Sequence, residues 1–153
     1  MANDISKFKD GNILYFTPFF FTDAKSDPKP KYFLILKHIG DRVILSSLPT
    51  SKDAVPNSIT KQHGCLDDKK INFNCYYFSP DVEVCTNGFK FPKETYVYGF
   101  RLQEFDVDTL LFQQANNKTT INLIGTLTEG EYFAICQCLK NSYSVKNKYR
   151  RVL

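Results

Sequence analysis

A basic residue stands where a charged, proline-containing loop meets an apolar strand. The segment 21–36 runs from a loop with Pro28 and Pro30 into the sequence Tyr-Phe-Leu-Ile-Leu, and Lys31 lies at the junction. Loops on a rigid scaffold often hold binding groups, and a cation at the mouth of a strand suits an anionic ligand such as a phosphate. Lys31 is therefore the first candidate functional residue. The alternative is a solvated lysine at the end of a strand.

Two hydroxyl-bearing residues follow the next apolar segment. Residues 32–37 and 42–48 are expected to form two strands joined by a tight turn, because the Gly-Asp between them permits the backbone angles of a reversal. Antiparallel pairing brings the start of the first strand close to the end of the second. We therefore expect Thr50 and Ser51 to lie near Lys31, where they either hold a phosphate or cap a turn.

Other groups able to do acid–base or metal chemistry are sparse. His38 and His63 are the two histidines, and each is a minor candidate for catalysis near neutral pH. His63 with Cys65, Cys75 and Cys85 could assemble a zinc site, but the ten-residue steps do not match the close pairs of zinc modules. The five cysteines are an odd number without a disulfide framework, so we expect reduced thiols, no metal and no cofactor.

Length and composition favour one soluble, strand-rich domain. The 153 residues can bury a sizeable core, and 14 Phe with 9 Tyr favour strands. The net charge of +4 permits a polyanionic partner without requiring one. No apolar segment approaches the roughly 20 residues that span a bilayer, so we expect no membrane association and a cytoplasmic protein.

The pattern predicts mainly β structure followed by helices, an α+β chain. Residues 52–74 have no clear periodicity and are expected to be a loop or insertion. Helices are predicted at about 108–115 and 132–139. The predicted strands are 12–17, 32–37, 42–48, 74–78, 82–85, 94–102 and 119–124.

The second helix has the clearer signals. Thr128 and Glu131 have the spacing of a capping box, and one face of the helix is apolar: Tyr132, Ile135, Cys136 and Leu139. Cys138 lies about 200° around the helix from Cys136, so we expect one core thiol and one surface thiol.

The C-terminal segment 140–151 mixes five basic residues with Tyr143 and Tyr149. Such a mixture can follow a nucleic-acid backbone and stack on bases. A solvated or frayed chain end is the more common reason for it, and that is our expectation.

Several short motifs, taken in order, resemble the MazF/PemK family of toxin endoribonucleases. They span most of the chain, although each alone is weak. The motifs are Gly11-Asn-Ile-Leu-Tyr-Phe16, Phe21-Thr-Asp23, Lys31-Tyr-Phe-Leu-Ile-Leu36, Leu48-Pro-Thr-Ser51, Phe91-Pro-Lys-Glu-Thr-Tyr-Val97 and Ile124-Gly-Thr-Leu-Thr128.

The resemblance implies a small SH3-like β-barrel occupying the single domain 1–153, with an insertion at about 52–90. It also implies a homodimer that cleaves single-stranded RNA without metal, as the toxin of a toxin–antitoxin system, and an antitoxin protein that occupies the RNA groove. The alternative is a non-catalytic SH3-like barrel that binds RNA or a protein partner.

The resemblance assigns roles to residues. Lys31, Thr50 and Ser51 would form the catalytic site, with Lys31 stabilising charge on the phosphate during attack by the 2′-OH. Four further cations would bind RNA: Lys25, Lys29, Lys52 and Arg42. The chain departs from the family at Lys31, where the family has Arg, and a lysine offers a point charge in place of a bidentate fork.

Overall fold

The structure is a computed structural model, and it describes residues 5–19, 29–49, 54–116 and 119–153. Within these residues the chain forms two antiparallel sheets and three helices, so it is mainly β with a few helices. The strands are β1 (Asn12–Phe19), β2 (Lys29–Ile39), β3 (Arg42–Ser47), β4 (Gly64–Asp68), β5 (Phe73–Phe78), β6 (Thr95–Tyr98), β7 (Leu102–Asp106) and β8 (Thr120–Thr126). The helices are α1 (Val107–Ala115), α2 (Glu129–Lys140) and α3 (Asn147–Arg150).

The larger sheet has the strand order β7-β3-β2-β1-β8. Its centre is the predicted hairpin of β2 and β3, whose register pairs Phe33 with Ser47 and Ile39 with Arg42. The reversal uses Gly40, which has φ +61°, a conformation that glycine adopts without steric cost. The hairpin was predicted correctly, but β2 begins three residues earlier than expected and ends two residues later, so Lys31 lies within the strand and not at its junction with a loop.

Both faces of the larger sheet are covered, which explains the continuous apolar sequence of β2. Phe33 and Ile35 face a cluster that includes Leu110 of α1. Leu34 and Leu36 point to the opposite face, into a larger cluster shared with the smaller sheet and α2. The alternation of a strand therefore places Lys31 on the same face as Phe33.

The smaller sheet has the order β4-β5-β6 and is built mostly from the predicted insertion. The expectation of a loop over 52–74 was wrong, because β4 lies inside it and pairs with β5. Within β4 the single buried residue is Leu66, at an edge of the sheet. A strand with one buried side chain shows no alternation, so its sequence gave no periodic signal.

Two other strand predictions need correction. Residues 82–85 do not form a strand, although Val84 and Cys85 are buried. The β pairing of this segment consists of a single isolated bridge between Cys85 and Leu127. The predicted strand 94–102 is divided between β6 and β7, which belong to different sheets. A 3₁₀ turn over Gly99–Arg101 separates them.

Helix α2 begins as predicted, since Thr128 Oγ1 accepts a hydrogen bond from the backbone N–H of Glu131 at 3.2 Å. Its apolar face packs into the core, also as predicted. The expected surface thiol was wrong, because Cys136 and Cys138 are both buried. The helix also contacts β4 and β5 of the smaller sheet.

The expectation of reduced thiols was wrong for one pair. Cys65 of β4 and Cys138 of α2 form a disulfide with a Cα–Cα distance of 5.5 Å. The partners are 73 residues apart in sequence, and Cys65 lies in the segment expected to be a loop. Cys75, Cys85 and Cys136 are free and buried.

The C-terminal segment is packed and is not a frayed end. Val145 and Tyr149 are buried against the core. A short helix, α3, follows Lys146. The backbone that carries the basic residues of this segment is therefore packed against the core.

The two sheets are not closed into a barrel in the part of the chain that the structure describes. In the same residues, no helix is long and apolar enough to cross a membrane.

Candidate functional site

A cavity of about 500 Å³ opens at one end of the larger sheet, on the face that also packs against α1. We call it the basic groove. Its apolar wall is formed by Phe19, Phe33 and Phe105. Its polar lining includes Lys31 and Arg101.

Lys31 reaches the groove from β2. Its partner on the adjacent strand β1 is Phe16. Phe33, two residues further along β2, lies on the same face and is buried. Strand alternation thus holds the Lys31 side chain over an aromatic wall. The lysine is half-buried, which limits the volume that its ammonium group can sample.

Arg101 reaches the groove from the 3₁₀ turn between β6 and β7. Its guanidinium carbon lies 5.6 Å from the centroid of the Phe100 ring and 5.9 Å from that of Tyr98. Cation–π contacts of this kind hold the guanidinium against the rings while leaving its N–H donors directed outward.

Lys146 reaches the groove from the packed C-terminal segment. The preceding residues, Ser144 and Val145, lie directly against Gly99 of the turn. A Cβ at Gly99 would come within 2.7 Å of Val145 Cγ2 and 2.8 Å of Ser144 Oγ. The absence of a side chain at Gly99 therefore allows the contact that brings Lys146 beside Arg101.

Gly99→Ala is expected to destabilise the fold by about 1–3 kcal/mol, because the added methyl group overpacks a closed contact. Equilibrium unfolding in urea measures this change. Gly130→Ala is the matched control, since a Cβ at Gly130 meets nothing within 4 Å and alanine favours a helix over glycine by about 1 kcal/mol. Equal behaviour of the two variants would contradict the close packing at Gly99.

Among the described residues, the charges that line the groove all have one sign. Lys31, Arg101 and Lys146 are its ionisable residues, and no carboxylate lines it in the described part of the chain. Ser47 and Gln103 add neutral hydrogen-bonding groups. A cleft lined by cations on an apolar wall concentrates anions.

The other predicted catalytic residues lie beyond what the structure describes. Leu48 N–H donates to Tyr32 C=O at 3.0 Å, so one further step of the same register would set Lys31 opposite Pro49. Thr50 and Ser51 follow directly and lie outside the described residues, as do Lys25 and Lys52. Their roles stay predictions.

Lys29 and Arg42 are described but do not line the groove. Lys29 is exposed at the start of β2, two residues before Lys31. Arg42 lies at the far end of the hairpin, where it pairs with Ile39. At the rise per residue of an extended strand, this end is roughly 26 Å from Lys31. The Arg42 guanidinium forms ion pairs with Glu104 and with Asp106 Oδ1, the latter at 2.8 Å.

The Glu104 hydrogen bond raises the pKa of Arg42 above its ordinary value. Two carboxylates on the neighbouring strand therefore compete with any phosphate for this guanidinium. Arg42 is less suited to bind RNA than the sequence indicated.

His63 belongs to a hydrogen-bonded cluster between the smaller sheet and α2. Its Nε2 lies 2.9 Å from both carboxylate oxygens of Glu131, and Tyr76 Oη donates to Glu131 Oε1 at 2.9 Å. His63 Nδ1 accepts from the Ser79 N–H at 3.1 Å. That acceptor role assigns the proton of a neutral ring to Nε2, which donates it to Glu131.

Burial and the bond to Glu131 raise the pKa of Tyr76, and burial also raises the pKa of Cys85 to about 11. Both ring nitrogens of His63 have protein partners. Through Glu131 of α2, which also accepts from Tyr76 of β5, the cluster joins the helix to the smaller sheet. It is separate from the basic groove, which contains no histidine among its described residues.

His38 lies within β2, where it pairs with Val43, and its Nε2 is 2.9 Å from the Gly40 carbonyl oxygen. The zinc alternative finds no support, because no group of three or more His, Cys, Asp or Glu close enough to hold a metal occurs within the described ranges.

Sequence reasoning missed Phe100, Arg101 and Lys146. The first two were assigned to a continuous strand, and Lys146 to a solvated tail. Gly99 was the available signal, since it interrupts the alternation of the predicted strand and is followed by an aromatic residue and an arginine.

Comparison with models of known protein families gives no match, and no curated protein is significantly similar to the chain.

Proposed function

We propose that the protein binds single-stranded RNA in the basic groove, as a divergent protein of the MazF/PemK type. The observation that supports this proposal is the convergence of Lys31, Arg101 and Lys146 on one aromatic-walled cleft. Basic grooves with aromatic side chains bind single strands, because cations follow the phosphates and rings stack on unpaired bases. The relation to the SH3-like barrel of that family belongs to the same proposal.

The charge distribution favours a polyanion over a neutral partner. The three cations come from β2, from the 3₁₀ turn and from the C-terminal segment, so they line more than one side of the cleft. A single strand of RNA can place successive phosphates against them. Duplex RNA is less suited, because its bases are paired and cannot reach the aromatic wall.

The salt dependence of RNA binding should report the number of contacts between the cations and the phosphates. With three phosphate contacts, log K against log salt is expected to have a slope of about −2 for a single strand, and Lys31→Gln should reduce it to about −1.4. Fluorescence anisotropy with a labelled, unstructured RNA measures both slopes. Lys70→Gln removes an exposed lysine of the smaller sheet's β4–β5 turn and is the matched control.

An unchanged slope in Lys31→Gln, together with weak binding by the wild type, would contradict the RNA proposal. Equal losses in Lys31→Gln and Lys70→Gln would show that net charge, and not the groove, determines binding.

Cleavage of the bound RNA is the second candidate function, and the presence of both Lys31 and Ser47 in the groove favours it. In this reaction the 2′-oxygen forms a bond to the adjacent phosphorus and the bond from phosphorus to the 5′-oxygen breaks. The proton of the 2′-OH passes to water, and the leaving oxygen takes a proton from water. The products are a 2′,3′-cyclic phosphate and a 5′-hydroxyl end.

Lys31 would stabilise the negative charge that develops on the phosphate oxygens, and Ser47 would orient the phosphate by hydrogen bonding. The described lining of the groove includes no histidine or carboxylate that could act as a general base. The geometry therefore supports RNA binding more directly than catalysis.

The remaining parts of the proposal follow from the family resemblance. They are a role as the toxin of a toxin–antitoxin system, a homodimer, and an antitoxin that occupies the same groove. A groove whose described lining includes three cations and no carboxylate suits a partner segment rich in carboxylates. Light scattering at micromolar concentration tests the dimer, and a monomeric mass would contradict it.

A further inference from the structure

Three aromatic rings form a column that runs from the smaller sheet to the basic groove. Tyr96 and Tyr98 are alternate residues of β6, and Phe100 follows in the 3₁₀ turn. The ring centroids of Tyr96 and Tyr98 are 5.6 Å apart with planes only 8° from parallel. Those of Tyr98 and Phe100 are also 5.6 Å apart, at 24°.

The inner part of the column is fixed in place. Tyr96 and Tyr98 are each 1% exposed. Tyr98 Oη accepts a hydrogen bond from the Ala54 N–H at 2.8 Å, and Tyr96 Oη donates to Glu94 Oε2 at 3.1 Å. Lys61 lies 5.7 Å from the centroid of the Tyr96 ring. The column therefore needs no rearrangement before a ligand arrives.

The outer end of the column differs from the rest, because Phe100 is 60% exposed. This ring lines the basic groove together with Lys31 and Arg101. The Arg101 guanidinium lies beside it at 5.6 Å. The tight contact of Gly99 with Val145 fixes the turn on which both residues stand.

We propose that Phe100 is a stacking platform for one unpaired base of a bound RNA strand, with Arg101 beside it to contact the adjoining phosphate. This inference rests on the RNA binding proposed above and adds the subsite at which a base is held. The exposed ring continues the column formed by Tyr96 and Tyr98, so a base on Phe100 would become its fourth member.

The combination of neighbours identifies a nucleotide as the ligand. An aromatic platform alone would accept any apolar group, but cations lie next to this one and no carboxylate lines the same cleft within the described residues. A base with its phosphate presents a flat ring and an anion at adjacent positions, which matches Phe100 and Arg101. Every base has such a ring face, so the subsite should select unpaired over paired nucleotides and accept all four bases.

The test compares an unstructured RNA oligomer with an abasic ribose-phosphate oligomer of the same length and phosphate count. Phe100→Ala should weaken binding of the RNA about tenfold, as removal of one stacked base does, and leave binding of the abasic oligomer unchanged. Phe100→Trp should bind RNA at least as tightly as the wild type. Circular dichroism verifies that each variant is folded, which is expected because the side chain is mostly exposed.

The outcomes separate the two proposals. If Phe100→Ala binds RNA as the wild type does while Lys31→Gln shows a reduced salt slope, the platform is overturned and RNA binding stands. If the wild type binds neither oligomer, both proposals fail. Equal losses of Phe100→Ala for RNA and for the abasic oligomer would also overturn the platform, because they would show a defect in the backbone contacts.

Discussion

Replacing Lys31 with alanine is expected to lower the rate of the proposed RNA cleavage by roughly a hundredfold or more, the effect of removing one group that stabilises charge in a transition state. The ammonium group stands over the aromatic wall of the basic groove, where half-burial strengthens its interaction with an anion. Cleavage of a labelled single-stranded RNA in excess chelator measures the rate. The chelator tests the metal independence that the family resemblance implies.

Lys31→Arg is the informative companion variant. A guanidinium offers two parallel donors to a phosphate, whereas the ammonium is a point charge. The arginine variant should therefore cleave at least as fast as the wild type. If wild type, alanine variant and arginine variant are all inert while RNA still binds, the enzyme proposal fails and the non-catalytic binding module remains.

Loss of the Cys65–Cys138 disulfide should lower the free energy of unfolding by about 4 kcal/mol, because the bond closes a long loop in the unfolded chain. The loop spans a sequence separation of 73 residues and ties β4 to α2. Cys65→Ser is the suitable variant, since Cys65 is exposed and loses little packing while Cys138 keeps its buried position. Denaturant unfolding without reductant measures the difference.

Reductant provides the control. The wild type in dithiothreitol should fall to the stability of Cys65→Ser, and the variant itself should not respond. Alkylation of Cys65 in the native wild type without reductant would contradict the disulfide, because a bonded sulfur cannot be labelled. Disulfides persist mainly in oxidising compartments, so this measurement also bears on the predicted cytoplasmic location.

The β2–β3 hairpin of the larger sheet could be predicted from sequence because its two strands obey simple rules. The apolar segment from Phe33 to Leu36 is buried on both faces, and a Gly-Asp reversal follows it. In the smaller sheet β4 could not be predicted, because it places only Leu66 in the core. It is held by pairing with β5 and by a disulfide whose partner is 73 residues away, and a local pattern contains no trace of that bond.

The candidate site was predictable at one residue and not at the others. Lys31 was found because it stands at the predicted junction between loop and strand. Arg101 and Lys146 could not be assigned to the same cleft, since their proximity depends on the packing of Val145 on Gly99. Arg42 looked equally basic in the sequence, but the neighbouring strand supplies carboxylates that pair with it.

The packing of the C-terminal segment on Gly99 determines when the basic groove is completed during synthesis and folding. Lys31 is synthesised well before Lys146, so the three cations of the groove come together only after the segment 140–151 has docked on Gly99. A nascent chain in which Lys146 has not yet emerged from the ribosome therefore lacks the finished cleft. Contacts this distant in sequence also form late in folding, because closing a long loop costs entropy before the contact is made. The RNA affinity proposed for the groove would thus be acquired only after this contact has formed.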